Sequence, residues 1–335
     1  MGEAIDDDIA LVATTSGTTG TPKGALLTAA ALTASATATH DRLGGPGRWL
    51  LALPAYHIAG VQVLVRSLLA GTAPVELDVS SGFDISELPA AVKELGPGRC
   101  YTALVATQLA KALDDPAAAA ALSELDAVLI GGGPAPRPLL DAVASAGIAV
   151  VRTYGMSETA GGCVYDGVPL GGVRLRVEHD GRIVIGGPTL ANGYRNPPDP
   201  DPFAEPGWFR TDDVGAVDDS GVLQVLGRAD EAISTGGLTV LPQLVEAALR
   251  THPAVADCAV FGVADERLGQ RVAAAIVVAA GHTPPTLETL RAHVMHTLDG
   301  TAAPRELHIV DALPTRGIGK VDRQALARHA GKPLT

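Results

Sequence analysis

The segment Thr14-Thr15-Ser16-Gly17-Thr18-Thr19-Gly20-Thr21-Pro22-Lys23-Gly24 constrains this chain more than any other. It interleaves hydroxyl side chains with three glycines and closes on a lysine and a glycine, directly after the apolar residues 9–13. Glycine admits positive φ and lets backbone N–H groups approach oxyanions, Ser and Thr hydroxyls add donors, and Lys23 adds charge. The combination reads as a phosphate-handling loop, with an ordinary polar turn as the alternative. It is not a Walker A loop, which needs Ser or Thr after the lysine, where this chain has Gly24.

At 335 residues and 47% hydrophobic content the chain can hold two or three domains with sizeable cores. A formal net charge of -12, with no cluster of lysine and arginine, argues against a nucleic-acid surface. Cys100, Cys163 and Cys258 are far apart and form no Cys-x-x-Cys pair, so neither zinc nor a disulfide framework is indicated and a cytoplasmic location is expected. No apolar run reaches the length of a membrane span, and the N-terminus is acidic where a signal peptide would be basic. Oligomeric state stays open, a homodimer included.

Through the first two-thirds, apolar runs at 50–53, 61–69, 74–77, 85–95, 101–105, 128–130, 139–146 and 150–151 follow the βα rhythm of a parallel sheet covered by helices. From 173 the pattern turns to hairpin pieces, 173–177 and 182–185 around Asp180-Gly181, then 222–226. A compact α+β unit follows: helix 242–250, strands 259–263 and 272–278, helix 287–298, strand 307–310 and a last helix near 324–329. The alanine run 117–121 reads as helix.

Together these segments resemble the adenylate-forming enzymes: acyl-CoA synthetases, firefly luciferase and peptide-synthetase adenylation domains. The resemblance implies an α/β fold, a parallel αβα core with a small β subdomain over 1–229, and a mobile α+β C-terminal domain over 230–335. It implies that Thr15, Ser16, Gly17, Thr18, Thr19, Gly20 and Lys23 handle the phosphates of ATP, and that Gly131-Gly132-Gly133-Pro134 borders adenine at a strand's C-terminal end. Tyr154-Gly155-Met156-Ser157-Glu158-Thr159 is similar to the family's Tyr-Gly-x-Thr-Glu element. There Tyr154 stacks on adenine, Gly155 and Thr159 line the site, Ser157 meets the α-phosphate, and Glu158 holds Mg²⁺. Asp213, closing Thr211-Asp212-Asp213, is expected on the ribose, although Asp212 replaces a family glycine. Arg228 is expected on ribose or phosphate, Asp230 or Glu231 at the hinge, Gly236 and Gly237 in the CoA channel, and Lys320 as the adenylation lysine.

The resemblance also implies the chemistry: a carboxylate attacks the ATP α-phosphate, pyrophosphate leaves, and a thiol then takes the acyl group. For the acid, Leu53-Pro54-Ala55-Tyr56-His57-Ile58-Ala59-Gly60 followed by Arg66 looks like the o-succinylbenzoate-CoA ligases of menaquinone biosynthesis. His57, Gly60, Gly155 and Arg66 are then expected at the acid. A helix beginning at His57 would put Arg66 on the face of Val63 and Leu69, an apolar setting in which an arginine needs a carboxylate. A packed histidine and a snorkelling arginine are the plainer alternatives. His293 and His296, three apart, are expected on a solvated face rather than on a metal. Family members carry a further subdomain ahead of the phosphate loop, whereas thirteen residues precede Thr14; a naturally short form and a truncated or misassigned start both stay open, and a functional or nearly functional enzyme is expected. Another aryl or short-chain acyl-CoA synthetase, or a non-catalytic nucleotide-binding remnant, stays open.

Overall fold

The βα rhythm becomes a seven-stranded sheet in the computed structural model, which describes residues 5–14, 23–316 and 320–330. Its strand order is Val75–Glu76, Arg48–Leu51, Cys100–Val105, Ala127–Gly131, Val150–Met156, Gly161–Tyr165, Val168–Pro169. The first five are parallel to their neighbours and the last two pair antiparallel. The central strands, CYTALV and AVLIG, are almost wholly buried, as expected of parallel strands covered on both faces. Alternation sends Leu50, Leu104, Val128 and Ile130 to one core, against Leu88, Leu109 and Leu122. Trp49, Leu51, Tyr101 and Leu129 point to the other, against Val63, Tyr165 and Ile183. The alanine run lies in helix Pro116–Ser123, capped by the Asp115 carboxylate, which accepts from the Ala118 N–H at 2.9 Å.

Ile9–Ala13 pairs antiparallel with Ala25–Thr28, Ala13 facing Ala25, so the phosphate-loop segment connects a two-stranded hairpin outside the main sheet. Another sheet runs in the order Arg174–Val177, Arg182–Gly186, Trp208–Val217, Leu223–Arg228.

The chain divides into two compact units. One comprises Met1–Glu178, Ile183–Thr211 and Val217–Leu223; the other comprises His179–Arg182, Asp212–Ala216 and Gln224–Thr335. The second so drawn takes in Asp213 and Arg228, which lie ahead of the division expected after residue 229. Its sheet runs Leu238–Val240, Ile233–Thr235, Gly269–Val278, Val255–Asp265, with Glu306–Ile309 parallel to Gly269–Val278. Helices Pro242–Leu249 and Leu287–Met295 supply Val245, Leu249, Leu290 and Val294 to its core. The long hairpin outruns the expected strands 259–263 and 272–278, because the ladder continues to Asp265–Gly269. There the Asp265 carboxylate accepts from the N–H groups of Arg267 and Leu268 and closes the turn.

Candidate active site

In a parallel sheet the carboxyl ends of the strands are the ligand side, and two expected motifs fall there. Ala127–Gly131 ends on Gly131, where a Cβ would stand 2.5 Å from Thr153 Oγ1; glycine leaves that hydroxyl free to donate to the Ile130 carbonyl at 3.2 Å. Gly132 follows at φ 80°, while Gly133 has open space around it. Val150–Met156 carries Tyr154, which is partly buried against the second core cluster, and Gly155. A Cβ on Gly155 would lie 2.1 Å from the Gly161 carbonyl oxygen and 2.7 Å from the Gly162 Cα, so glycine here is a packing requirement of the paired strand. Because the clash is with backbone, Gly155→Ala is expected to cost about 3 kcal/mol, the upper end for overpacking. A thermal midpoint equal to the wild type would refute that.

The turn Ser157–Thr159 follows. Thr159 fixes it: its hydroxyl donates to the Gly161 carbonyl at 2.7 Å and accepts from the Met156 N–H at 3.0 Å. Glu158 is buried, and its carbonyl accepts from the Ala191 N–H at 2.9 Å. Its Oε1 accepts the Tyr194 hydroxyl at 2.6 Å, and the Lys23 ammonium lies 5.5 Å from the centre of the Tyr194 ring. The structure thus brings Lys23 and Glu158 to one tyrosine that the sequence reading did not single out. Thr15, Ser16, Gly17, Thr18, Thr19 and Gly20 lie outside the described residues.

His57 immediately precedes helix Ile58–Ala70, and its ring lies 4.5 Å from that of Tyr56. Gly60 allows close approach, since a Cβ would meet the Pro54 carbonyl oxygen at 2.3 Å. At 1.5 Å per residue, Arg66 lies about 12 Å further along the helix than Ile58. It is 3% exposed, stacked at 4.9 Å over Trp49, with one Nη donating to the Tyr165 hydroxyl at 3.3 Å. Among the described residues no carboxylate pairs with it, and its Nε has no hydrogen-bond partner. Burial lowers its pKa, opposed only by Tyr165. Among the described residues, Ser35 Oγ, His40 Nε2, Trp49 Nε1, Gln62 Oε1 and Ser67 Oγ are also buried without hydrogen-bond partners. The buried face consists of Gly60, Gln62, Val63, Arg66 and Ser67, whereas Leu69 is 44% exposed, so the expected Arg66–Leu69 face is corrected. Leu69 is rotated about 60° from Arg66 around the helix, far enough to reach solvent.

In the second unit Asp212 and Asp213 are successive residues of Trp208–Val217, and both lie within ion-pair reach of Arg228, at 3.6 and 3.2 Å. Asp212 takes Arg182 Nη2 at 3.0 Å. Asp213 is buried and accepts from Arg228 at 3.2 Å. Arg228 also grips Asp230 through two bonds of 2.9 and 2.8 Å. Burial pulls the Arg228 guanidinium down, but Asp230, Asp213 and Asp212 together hold it above its ordinary range. Glu231 faces elsewhere, taking Gln243 at 2.5 Å and Arg323 at 3.1 Å. Arg323 also donates to buried Glu246 at 2.7 Å; burial raises that carboxyl's pKa and Arg323 opposes the rise. Gly236 and Gly237, at φ 59° and 82°, make the two-residue turn of the hairpin Ile233–Thr235/Leu238–Val240, a geometry that favours glycine at both places. Lys320 opens a short strand paired with Thr315–Arg316, and its side chain lies outside the described residues. His293 bonds to Thr251 and Ala248 and packs edge-on against His252.

Residues 3–195 match the AMP-binding enzyme family and residues 244–320 the AMP-binding enzyme C-terminal domain. The probable 2-succinylbenzoate-CoA ligase of Mycobacterium tuberculosis is 78% identical over 331 residues, 98% of this chain and 86% of that protein. The o-succinylbenzoate CoA synthetase of Bacillus subtilis, in complex with the acyl-adenylate intermediate, superposes with a TM-score of 0.82 at 30% identity, covering 96% of this chain and 69% of that one. The same synthetase with ATP and a magnesium ion gives 0.81 at 30% identity, over 96% and 70%. With both family segments matched in order, the chain belongs to the AMP-binding enzymes.

Proposed function

We propose that this chain is an ATP-dependent o-succinylbenzoate-CoA ligase of menaquinone biosynthesis acting in the cytoplasm. The 78% identity to a protein named for that activity carries the reading. Among the described residues, a buried arginine without a carboxylate partner supports it.

The substrate carboxylate oxygen attacks the α-phosphorus of ATP, the bond to the bridging oxygen breaks, and pyrophosphate leaves with that electron pair. The thiolate of CoA then attacks the acyl carbon and AMP departs. Negative charge grows on the α-phosphate in the first step, so donors aimed there lower the barrier. We assign that work to Lys320, Ser157, Lys23 and the hydroxyls of the phosphate loop. Glu158 fits as a Mg²⁺ ligand: it is a buried hard-oxygen donor whose Oε1 is occupied by Tyr194 and whose other oxygen takes no partner among the described residues. The ion, when bound, would neutralise phosphate charge. Tyr154 and the residues from Gly131 to Pro134 are assigned to adenine, Gly155 and Thr159 to the lining of the site, and Asp213 and Arg228 to ribose and phosphate.

The boundary after residue 229 is the proposed pivot between the two half-reactions. Asp230 is favoured over Glu231: it is the last residue held from the preceding strand, by Arg228, whereas Glu231 is held by Gln243 and Arg323 further along the chain. Gly236 and Gly237 are assigned to the CoA channel. Arg66, well along its helix from His57 and Gly60, is assigned to the second carboxylate of the acid. That carboxylate would give the guanidinium the anion that the described residues do not supply. A pyrophosphate-release assay over carboxylic acids tests the reading: release is expected with o-succinylbenzoate, and turnover of an unrelated acid in its place would overturn it.

A further inference from the structure

We infer that Tyr194 is a positioning residue that sets the direction of the Glu158 carboxylate. The inference rests on the reading of Glu158 as the Mg²⁺ ligand. The Tyr194 hydroxyl donates to Glu158 Oε1 at 2.6 Å, with both residues buried, a charge-assisted bond shielded from water. A carboxylate that gives one oxygen to a fixed donor has its rotation about χ3 stopped and its second oxygen presented in one direction. Partners of this kind orient metal-binding side chains generally.

The tyrosine is itself held on several sides. Its backbone bridges Ala25, and the N–H of Arg195 donates to the Gly24 carbonyl at 2.9 Å. Its ring meets Phe203 edge-on at 5.3 Å, and Phe203 in turn packs on Phe209 at 4.7 Å. Lys23, the charged residue of the phosphate-loop segment, sits 5.5 Å from the ring centre. Glu158 is braced a second time through the bond from the Ala191 N–H to its carbonyl. Residues 191–203 therefore couple the end of the phosphate-loop segment to the carboxylate. This gives the tyrosine a role that a packed aromatic alone would not have.

The test is calorimetric titration of ATP into the full chain across a Mg²⁺ series and in EDTA, for wild type, Tyr194→Phe, Glu158→Gln and the double variant. Phe keeps the ring and removes only the hydroxyl. The expected result is that Tyr194→Phe needs about 10-fold more Mg²⁺ for the same gain in ATP affinity, with binding in EDTA unchanged. The double variant should be no worse than Glu158→Gln alone, because the hydroxyl acts only through that carboxylate. An unchanged Mg²⁺ requirement, an equal loss with and without Mg²⁺, or additive losses in the double variant would each overturn the inference. A wild-type protein whose ATP affinity ignores Mg²⁺ would instead overturn the assignment of Glu158, and the inference with it.

Discussion

Lys320→Ala is expected to lower adenylate formation by about 10³-fold, which is about 4 kcal/mol of transition-state stabilisation, in the range seen when one donor to a developing oxyanion is removed. The charge that needs a cation develops as the carboxylate joins the α-phosphate and pyrophosphate departs. In the second half-reaction the α-phosphate belongs to the leaving group, and its charge is already formed. The variant should therefore still convert supplied acyl adenylate and CoA to thioester at a rate close to wild type. The segment around it supports a local effect: Lys320 and Val321 pair with Thr315–Arg316, and Asp322 caps helix Arg323–His329 by accepting from the Ala325 N–H at 2.9 Å. Removing an amine should leave those backbone contacts in place. Equal loss in both half-reactions, measured by pyrophosphate release and by thioester formation from adenylate, would remove Lys320 from the role.

Arg66→Met is expected to separate stability from substrate recognition. A buried guanidinium with no carboxylate partner among the described residues carries a desolvation cost, and replacing a buried charge by an apolar side chain of similar length is often neutral or stabilising. Methionine can also keep contact with the Trp49 ring. The thermal midpoint should therefore hold or rise. If the guanidinium receives the second carboxylate of o-succinylbenzoate, kcat/KM for that acid should fall by about 30-fold to several thousand-fold, corresponding to about 2–5 kcal/mol for a desolvated pair that loses one partner. Turnover of 3-benzoylpropionate, which lacks the ring carboxylate, should change little, and so should the KM for ATP. Equal loss with both acids would make Arg66 a structural residue and leave the acid specificity to other groups.

Much of the framework was legible because its signals are local. Short apolar runs at 50–53, 101–105, 128–130 and 150–151 marked the sheet strands, and Gly236-Gly237 marked a turn, since adjacent positive-φ positions favour glycine. The motif residues were legible as types: a carboxylate at 158, an aspartate at 213, an arginine at 228. Their partners were not. Tyr194 lies 36 residues from Glu158, and Arg182 lies 30 from Asp212, and no spacing rule links such pairs. The one available hint was scarcity: with 3% aromatic residues and five tyrosines in the chain, a tyrosine set in Ala191-Asn192-Gly193-Tyr194 stands out. The face of Arg66 was misread at Leu69 because three residues along a helix is 60° short of a full turn, enough to pass from core to solvent at an edge. Nothing in the local pattern around residue 14 announced that the phosphate-loop segment would hang from a separate hairpin rather than from the parallel sheet.

Trapping both products in a single reaction tests the central claim most directly. Wild-type protein is mixed with ATP, Mg²⁺ and o-succinylbenzoate, sampled by mass spectrometry, and then given CoA. The account predicts o-succinylbenzoyl adenylate with stoichiometric pyrophosphate before CoA is added, and o-succinylbenzoyl-CoA with AMP afterwards. Absence of the adenylate under these conditions, or an adenylate that CoA does not discharge, would contradict it.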